Sequence, residues 1–219
     1  MDTMKLYSGP LSVFGAKAEI ALREKQIPFE LIMVRFDRAT HYEPKHPEVL
    51  RINPKGQVPV LVDGAVEIFD STQIFEYLEH RWPTPPLWPS AVEARAEARL
   101  LELKSDELFC PLVASLWRFR GTADHPERAP ILAAIEHHFA ALNRLLEHRE
   151  YLAGTYSYAD VAFYMTLYFA DFLGVSFGPD VPRALAWRER MLARAAVRLV
   201  STATASNLAK YQISPPGFL

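Results

Sequence analysis

Four prolines fall within the nine residues from Arg81 to Pro89, at positions 83, 85, 86 and 89. No helix interior or central strand carries that density, because each proline removes a backbone N–H and its ring clashes with the preceding turn. The stretch therefore reads as a semi-rigid linker, residues 82–90. It separates two regions of different character, 1–81 and 91–219. Any fold for this chain must keep them as two packed domains.

The first region changes every ten residues or so. Met4 to Tyr7 is a short apolar run closed by Ser8-Gly9-Pro10, a strand and a loop. Val13, Ala16, Ile20 and Ala21 recur at helical spacing from Ser12 to Lys25, with Ser12 as N-cap. Pro28 to Arg35 contains a second strand. Phe36 to Ile52 is polar, holds Pro44 and Pro47, and suits a loop with an irregular helix. Two β-rich runs, Val58–Val62 and Ala65–Phe69, flank Asp63-Gly64, a hairpin signal. Asp70-Ser71 then opens a helix. The predicted order is β-α-β-α-β-β-α.

Beyond the linker no strand is expected. Ala91 to about Arg120, Pro126 to Glu150, Ser157 to Phe172 and Pro182 to about Ala203 read as helical. The third stretch is apolar on nearly every side, which marks a central buried helix. Ser157 and Asp160 form a capping box at its start.

Composition narrows the function classes. The 219 residues carry a net charge of only −2 and no basic block, so nucleic acid is not an expected partner. No apolar run reaches the roughly 18–20 residues that span a bilayer, and no signal segment is visible. The single cysteine, Cys110, leaves no internal disulfide, two-cysteine redox pair or cysteine-rich zinc site. His137, His138 and His148 lack metal-ligand spacing. A reducing cytoplasm and no metal are the expectation.

Three places combine structural and chemical readings. Val58-Pro59 puts a proline at the start of a strand. One solution is an edge-strand proline; another is a cis bond that turns the Val58 N–H and C=O toward a bound peptide. Asp70-Ser71 caps a helix, and the same N-terminus suits a carboxylate, with Asp70 opposite an ammonium group. Ser12 caps the first helix, and its hydroxyl is also a candidate donor to a thiolate. Lowering a thiol from about 8.5 by two units takes ~2.7 kcal/mol. A hydrogen bond to a charged group supplies about 1.5–3 kcal/mol, and a helix N-terminus adds ~0.3–1. No histidine adjoins Ser12 and no G-x-S-x-G turn surrounds it, so a serine-hydrolase reading is weak.

The order of these signals resembles the glutathione transferase family over nearly the whole chain. The opening L-Y-S-G-P-L-S-V-F-G-A-K resembles the segment that carries the activating serine of the serine-type classes. K-H-P-E-V-L-R-I-N-P-K-G-Q-V-P is similar to the family's glutathione loop. Phe69-Asp70-Ser71 is similar to its acidic-Ser pair, and A-G-T-Y-S-Y-A-D to its N-capping motif. The run from Pro182 to Val197 resembles its late helix, with Trp187 and Arg194 in place. Asp70 stands for the more usual Glu, Val13 and Ala16 for common Pro and polar residues, and Ala195 for a frequent Pro.

The resemblance implies a thioredoxin-like domain followed by a helical-bundle domain. It implies glutathione as co-substrate, with Ser12 at the thiol and Phe14 beside it. Lys45 falls at the glycine carboxylate, Gln57, Val58 and Pro59 at the backbone, and Asp70 and Ser71 at the γ-glutamyl group. Tyr7 is a second candidate donor to the thiol, as in the tyrosine-type classes. The expected second substrate is a small hydrophobic electrophile in a pocket between the domains, lined by Phe14, Phe109, Cys110 and Trp117. A homodimer and a detoxifying role follow by the same resemblance. So do isomerase or dehalogenase chemistry at the same site, and a non-catalytic partner-binding member.

Overall fold

The computed structural model describes residues 3–119, 122 and 125–218. They divide into two compact units. The first runs to Pro86 and includes Leu199–Pro215; the second is Leu87–Arg198 with the last residues from Pro216.

The first unit holds β1 (Lys5–Ser8), α1 (Val13–Glu24), β2 (Glu30–Met33), α2 (Pro47–Ile52), β3 (Val60–Asp63), β4 (Val66–Phe69) and α3 (Ser71–Arg81). The predicted element order is the one observed. The sheet order is β2-β1-β3-β4, with β1 parallel to β2 and the other pairs antiparallel. This is the thioredoxin-like arrangement.

Register sorts the side chains by face. Tyr7 pairs with Ile32 and Val60, and Val60 with Phe69. These residues share one face, because side chains alternate along a strand. They cluster there with Val34 and Val49. Leu6, opposite Leu31 and Leu61, belongs to the other face. Helices α1 and α3 pack together and bury Ile20, Leu22, Ile74 and Leu78 completely. Each such side chain contributes about 1.5–3 kcal/mol.

The hairpin turn lies one residue later than expected, at Gly64-Ala65. Asp63 is drawn into the strand by its pairing with Val66 and by the Tyr77 hydroxyl, 2.6 Å from its carboxylate. Gly64 takes φ +59°, open to glycine without strain.

A buried lysine fastens the start of the proline segment. Lys25 Nζ donates to the carbonyls of Trp82 and Pro85 at 2.7 and 2.9 Å and pairs with Glu79 at 2.6 Å.

Among its described residues the second unit holds helices and, apart from two isolated bridges at 151–155, no strand: α4 (Val92–Lys104), α5 (Cys110–Ala114), α6 (Arg128–Leu145), α7 (Tyr158–Phe172) and α8 (Pro182–Ala193), with α9 (Ala195–Lys210) beginning in it. The first expected helix is interrupted by a π turn over Ser105–Phe109. Cys110 N–H bonds back to Ser105, just before Pro111. A wide turn there relieves the clash a proline makes with the preceding helical turn. The last expected helix is broken at Arg194, whose backbone is extended and whose guanidinium lies 3.4 Å from the centre of the Tyr156 ring.

Helix α7 is the buried centre. Asp160 stands at its start with four donors on its carboxylate. Leu152 N–H and Trp187 Nε1–H reach Oδ1 at 3.0 and 2.9 Å; Ser157 N–H and Oγ–H reach Oδ2 at 2.9 and 3.1 Å. The capping box therefore also fixes α8 through Trp187. Among the described residues no helix is long and apolar enough to cross a membrane.

Candidate functional site

A cavity of about 450 Å³ opens in the first unit. Three loops build its walls.

The first runs from β1 to α1. Ser12 N–H closes a turn onto Gly9 C=O at 3.0 Å. The Ser12 hydroxyl oxygen accepts the Gly15 N–H at 2.9 Å, so Ser12 is the N-cap the spacing predicts. Accepting that bond leaves the Ser12 hydroxyl its hydrogen to donate, and the residue lines the cavity. The first turn of α1 carries no acidic residue, so its partial positive charge is not offset there. Gly15 is required by space: a Cβ would sit 2.1 Å from Ser8 Oγ and 3.0 Å from Ser12 Oγ.

The second loop leads from β2 into α2 and brings Tyr42, Lys45 and His46 to the cavity. His46 caps α2 by accepting Glu48 N–H on Nδ1, and its ring tilts against Tyr7 at 5.1 Å. Lys45 Nζ is 3.9 Å from Glu43. Tyr42 accepts the Leu11 N–H at 3.1 Å. Burial pushes the Tyr42 phenol up to about 12, against the opposing effect of that bond, so it stays a neutral hydroxyl.

The third loop joins α2 to β3. Asn53, 3% exposed, organises it: Nδ2 donates to Gln57 C=O at 2.6 Å, and Oδ1 accepts Lys55 N–H at 3.0 Å. Gly56, at φ +59°, lets the Lys45 stem pass. The Val58-Pro59 bond is cis. The ladder between β1 and β3 ends at Val60, so Val58 lies two residues beyond it.

Of the residues expected at glutathione, Ser12, Phe14, Lys45, Gln57 and Val58 line this cavity; Pro59, Asp70 and Ser71 do not. Asp70 and Ser71 form the β4–α3 junction. Asp70 accepts the N–H groups of Thr72 and Gln73 at 3.0 and 3.2 Å, the cap the sequence predicts. Its φ of +77° is unusual for a residue with a Cβ, and Ser71 is 2% exposed. Strain of this kind costs ~1–3 kcal/mol and persists where the surroundings enforce it. Tyr7 is 6% exposed in the cluster with Val34, Val49 and Val60, and does not line the cavity.

In the second unit Phe109 and Cys110 are 1% and 5% exposed, with Phe109 stacked on His138. Burial there pushes His138 down. Trp117 is half-buried and packs against Phe169 and Phe172.

Tyr42, which lines the cavity, and Asn53, which organises its third loop, are not singled out by the sequence. Tyr42 acts across 31 positions, which no local pattern carries. Asn53 sits in an Asn-Pro-x-Gly run between helix and strand, a turn signal that marks its place.

Residues 11–81 match the family described as glutathione S-transferase, N-terminal domain, and residues 111–190 that described as glutathione S-transferase, C-terminal domain. A stringent starvation protein A homolog of Pasteurella multocida is 30% identical over 83% of this chain and 82% of its own. The corresponding homolog of Coxiella burnetii is 35% identical over 108 residues, and this match spans about half of that protein, 48%. Glutathione S-transferase F10 of Arabidopsis thaliana is 30% identical over 88% of this chain and 94% of its own. A solved glutathione S-transferase of Rhodospirillum rubrum superposes with a TM-score of 0.80 at 30% identity, covering 98% of this chain and 96% of that one.

Proposed function

Since the chain belongs to the glutathione S-transferase family, we propose that it binds glutathione along its first unit and activates the thiol with Ser12. The observation that carries this reading is the Ser12 hydroxyl at the N-terminus of α1, opening into the cavity that Lys45, Gln57 and Val58 also line.

Each part of glutathione meets matching chemistry. The Lys45 ammonium suits the glycine carboxylate. The backbone of Val58 suits pairing with the cysteine residue, as an added strand would. The α3 N-terminus with Ser71 suits the γ-glutamyl carboxylate, and Asp70 its ammonium group. Ser12 donates to the sulfur and favours the thiolate by the two contributions estimated from the sequence. The thiolate attacks an electrophilic carbon and the leaving group departs with the bonding pair. Catalysis is lowering of the thiol pKa plus positioning, with no covalent enzyme intermediate.

Leu11 and Phe14 give the cavity an apolar wall, which suits an apolar electrophile. Exposed Val92, Leu100 and Leu103 on α4 support a homodimer. The test is Ser12→Ala with a panel of electrophiles. Turnover should fall sharply while glutathione affinity stays close to that of the wild type. Unchanged turnover would remove Ser12 from the mechanism.

A second reading is a family member that binds a partner instead of turning over glutathione. It is favoured by the similarity to proteins named for stringent starvation rather than for a transferase activity. Glutathione binding without conversion of any electrophile in the panel would select it.

A further inference from the structure

Ser12 sits at the end of a short loop, and the side chain of Tyr42 touches that loop from outside. Tyr42 reaches across from the segment between β2 and α2. Its hydroxyl accepts the Leu11 N–H at 3.1 Å. Its ring covers Gly9 so closely that a Cβ at position 9 would lie 2.6 Å from ring atom Cε1. The two contacts bracket the turn in which Ser12 N–H bonds Gly9 C=O.

Tyr42 is itself firmly placed. Asp37 Oδ1 accepts the N–H groups of Ala39 and Thr40 at 2.8 and 3.1 Å, and Thr40 Oγ1 donates to Glu43 C=O at 2.9 Å. These bonds shape the turn that presents Tyr42. Behind it, Phe36 packs edge-on to the ring at 5.1 Å, and Tyr211 packs edge-on to Phe36 at 4.8 Å. The hydroxyl is thus carried by a rigid aromatic stack and accepts a bond whose donor is the residue immediately before Ser12.

We propose that Tyr42 is a positioning residue for the thiol-activating serine: by anchoring Leu11 and roofing Gly9 it sets the direction of the Ser12 hydroxyl. The inference rests on the reading of Ser12 given above. It goes beyond packing, because a displacement of about 1 Å in a group that stabilises charge is enough to cost much of its effect. A tyrosine that only filled space would influence stability and leave the ionisation of a bound thiol alone.

The experiment is a pH titration of the thiolate ultraviolet absorbance of reduced glutathione bound to wild type, Tyr42→Phe and Gly9→Ala. Unfolding midpoints and calorimetric glutathione affinity are measured on the same samples. Tyr42→Phe keeps the ring and deletes the acceptor. Its bound thiol should ionise about half to one pH unit higher than in the wild type, with glutathione affinity changed by about twofold or less. Gly9→Ala pushes the ring away and should shift the thiol in the same direction. A folded Tyr42→Phe that binds glutathione and leaves the thiol pKa unchanged overturns the inference while the Ser12 reading stands. A wild-type complex whose thiol ionises like free glutathione overturns both, and is distinguished by appearing before any variant is made.

Discussion

Replacing Asp70 by glycine should separate stability from binding. Asp70 holds φ at +77°, and relief of that strain by glycine is worth ~1–3 kcal/mol. Two effects oppose the gain. Glycine in place of a capping aspartate forfeits only a few tenths of a kcal/mol, although the bonds to Thr72 and Gln73 are lost. The freer unfolded chain costs about 0.5–1 kcal/mol. The balance is a protein as stable as the wild type or more stable by about 1 kcal/mol, a midpoint rise of roughly 2–4 °C for a chain of this size. Binding should move the other way. Asp70 is exposed, so its pairing with the γ-glutamyl ammonium is worth ~1 kcal/mol, and glutathione should bind about fivefold more weakly. Thermal unfolding and calorimetric titration of Asp70→Gly, beside Asp70→Asn, read both quantities. Asn keeps a side chain able to cap and to tolerate positive φ, so it isolates the charge. A glycine variant destabilised by more than about 1 kcal/mol would refute the strain argument, and wild-type affinity in both variants would remove Asp70 from the site.

Lys25→Met should destabilise the protein by roughly 3–5 kcal/mol, because it removes the buried ammonium that pairs with Glu79 and bonds two linker carbonyls; denaturant unfolding reads this, and a loss below about 1 kcal/mol would show that water replaces the ammonium. Burial raises Asp160 to about 6 from an ordinary 3.8, outweighing its four donors. A carboxyl raised on folding contributes stability that is present below its unfolded value and is lost as pH climbs through the folded one. Between about pH 4 and about pH 7 the stability of the wild type relative to Asp160→Asn should therefore fall by up to ~3 kcal/mol. A difference that is flat or rises over that range would contradict the raised value.

What was legible in the sequence is chemistry that acts over three or four residues. Ser12 with Gly15, Asp70 with Gln73, and Ser157 with Asp160 are caps whose donors and acceptors sit one turn apart, and each formed as the spacing predicts. The runs closed by Ser8-Gly9-Pro10 and divided at Asp63-Gly64 likewise marked β1, β3 and β4. Features that depend on distant groups were not legible. Arg194 ends a helix without a proline and stacks on Tyr156, nearly forty positions earlier. The grouping of residues 199–215 with the first unit reflects contacts such as Tyr211 on Phe36 and Gln212 with Arg38 at 3.3 Å. The clamp of Tyr42 on Leu11 is of the same kind, which is why the residues that place Ser12 were harder to read than Ser12 itself.

Calorimetric titration of the purified chain with reduced glutathione near neutral pH tests the central claim most directly. The account predicts saturable binding of one glutathione per chain, with protons released on binding as the thiol ionises beside Ser12 and release abolished in Ser12→Ala. Absence of binding at millimolar glutathione would contradict it.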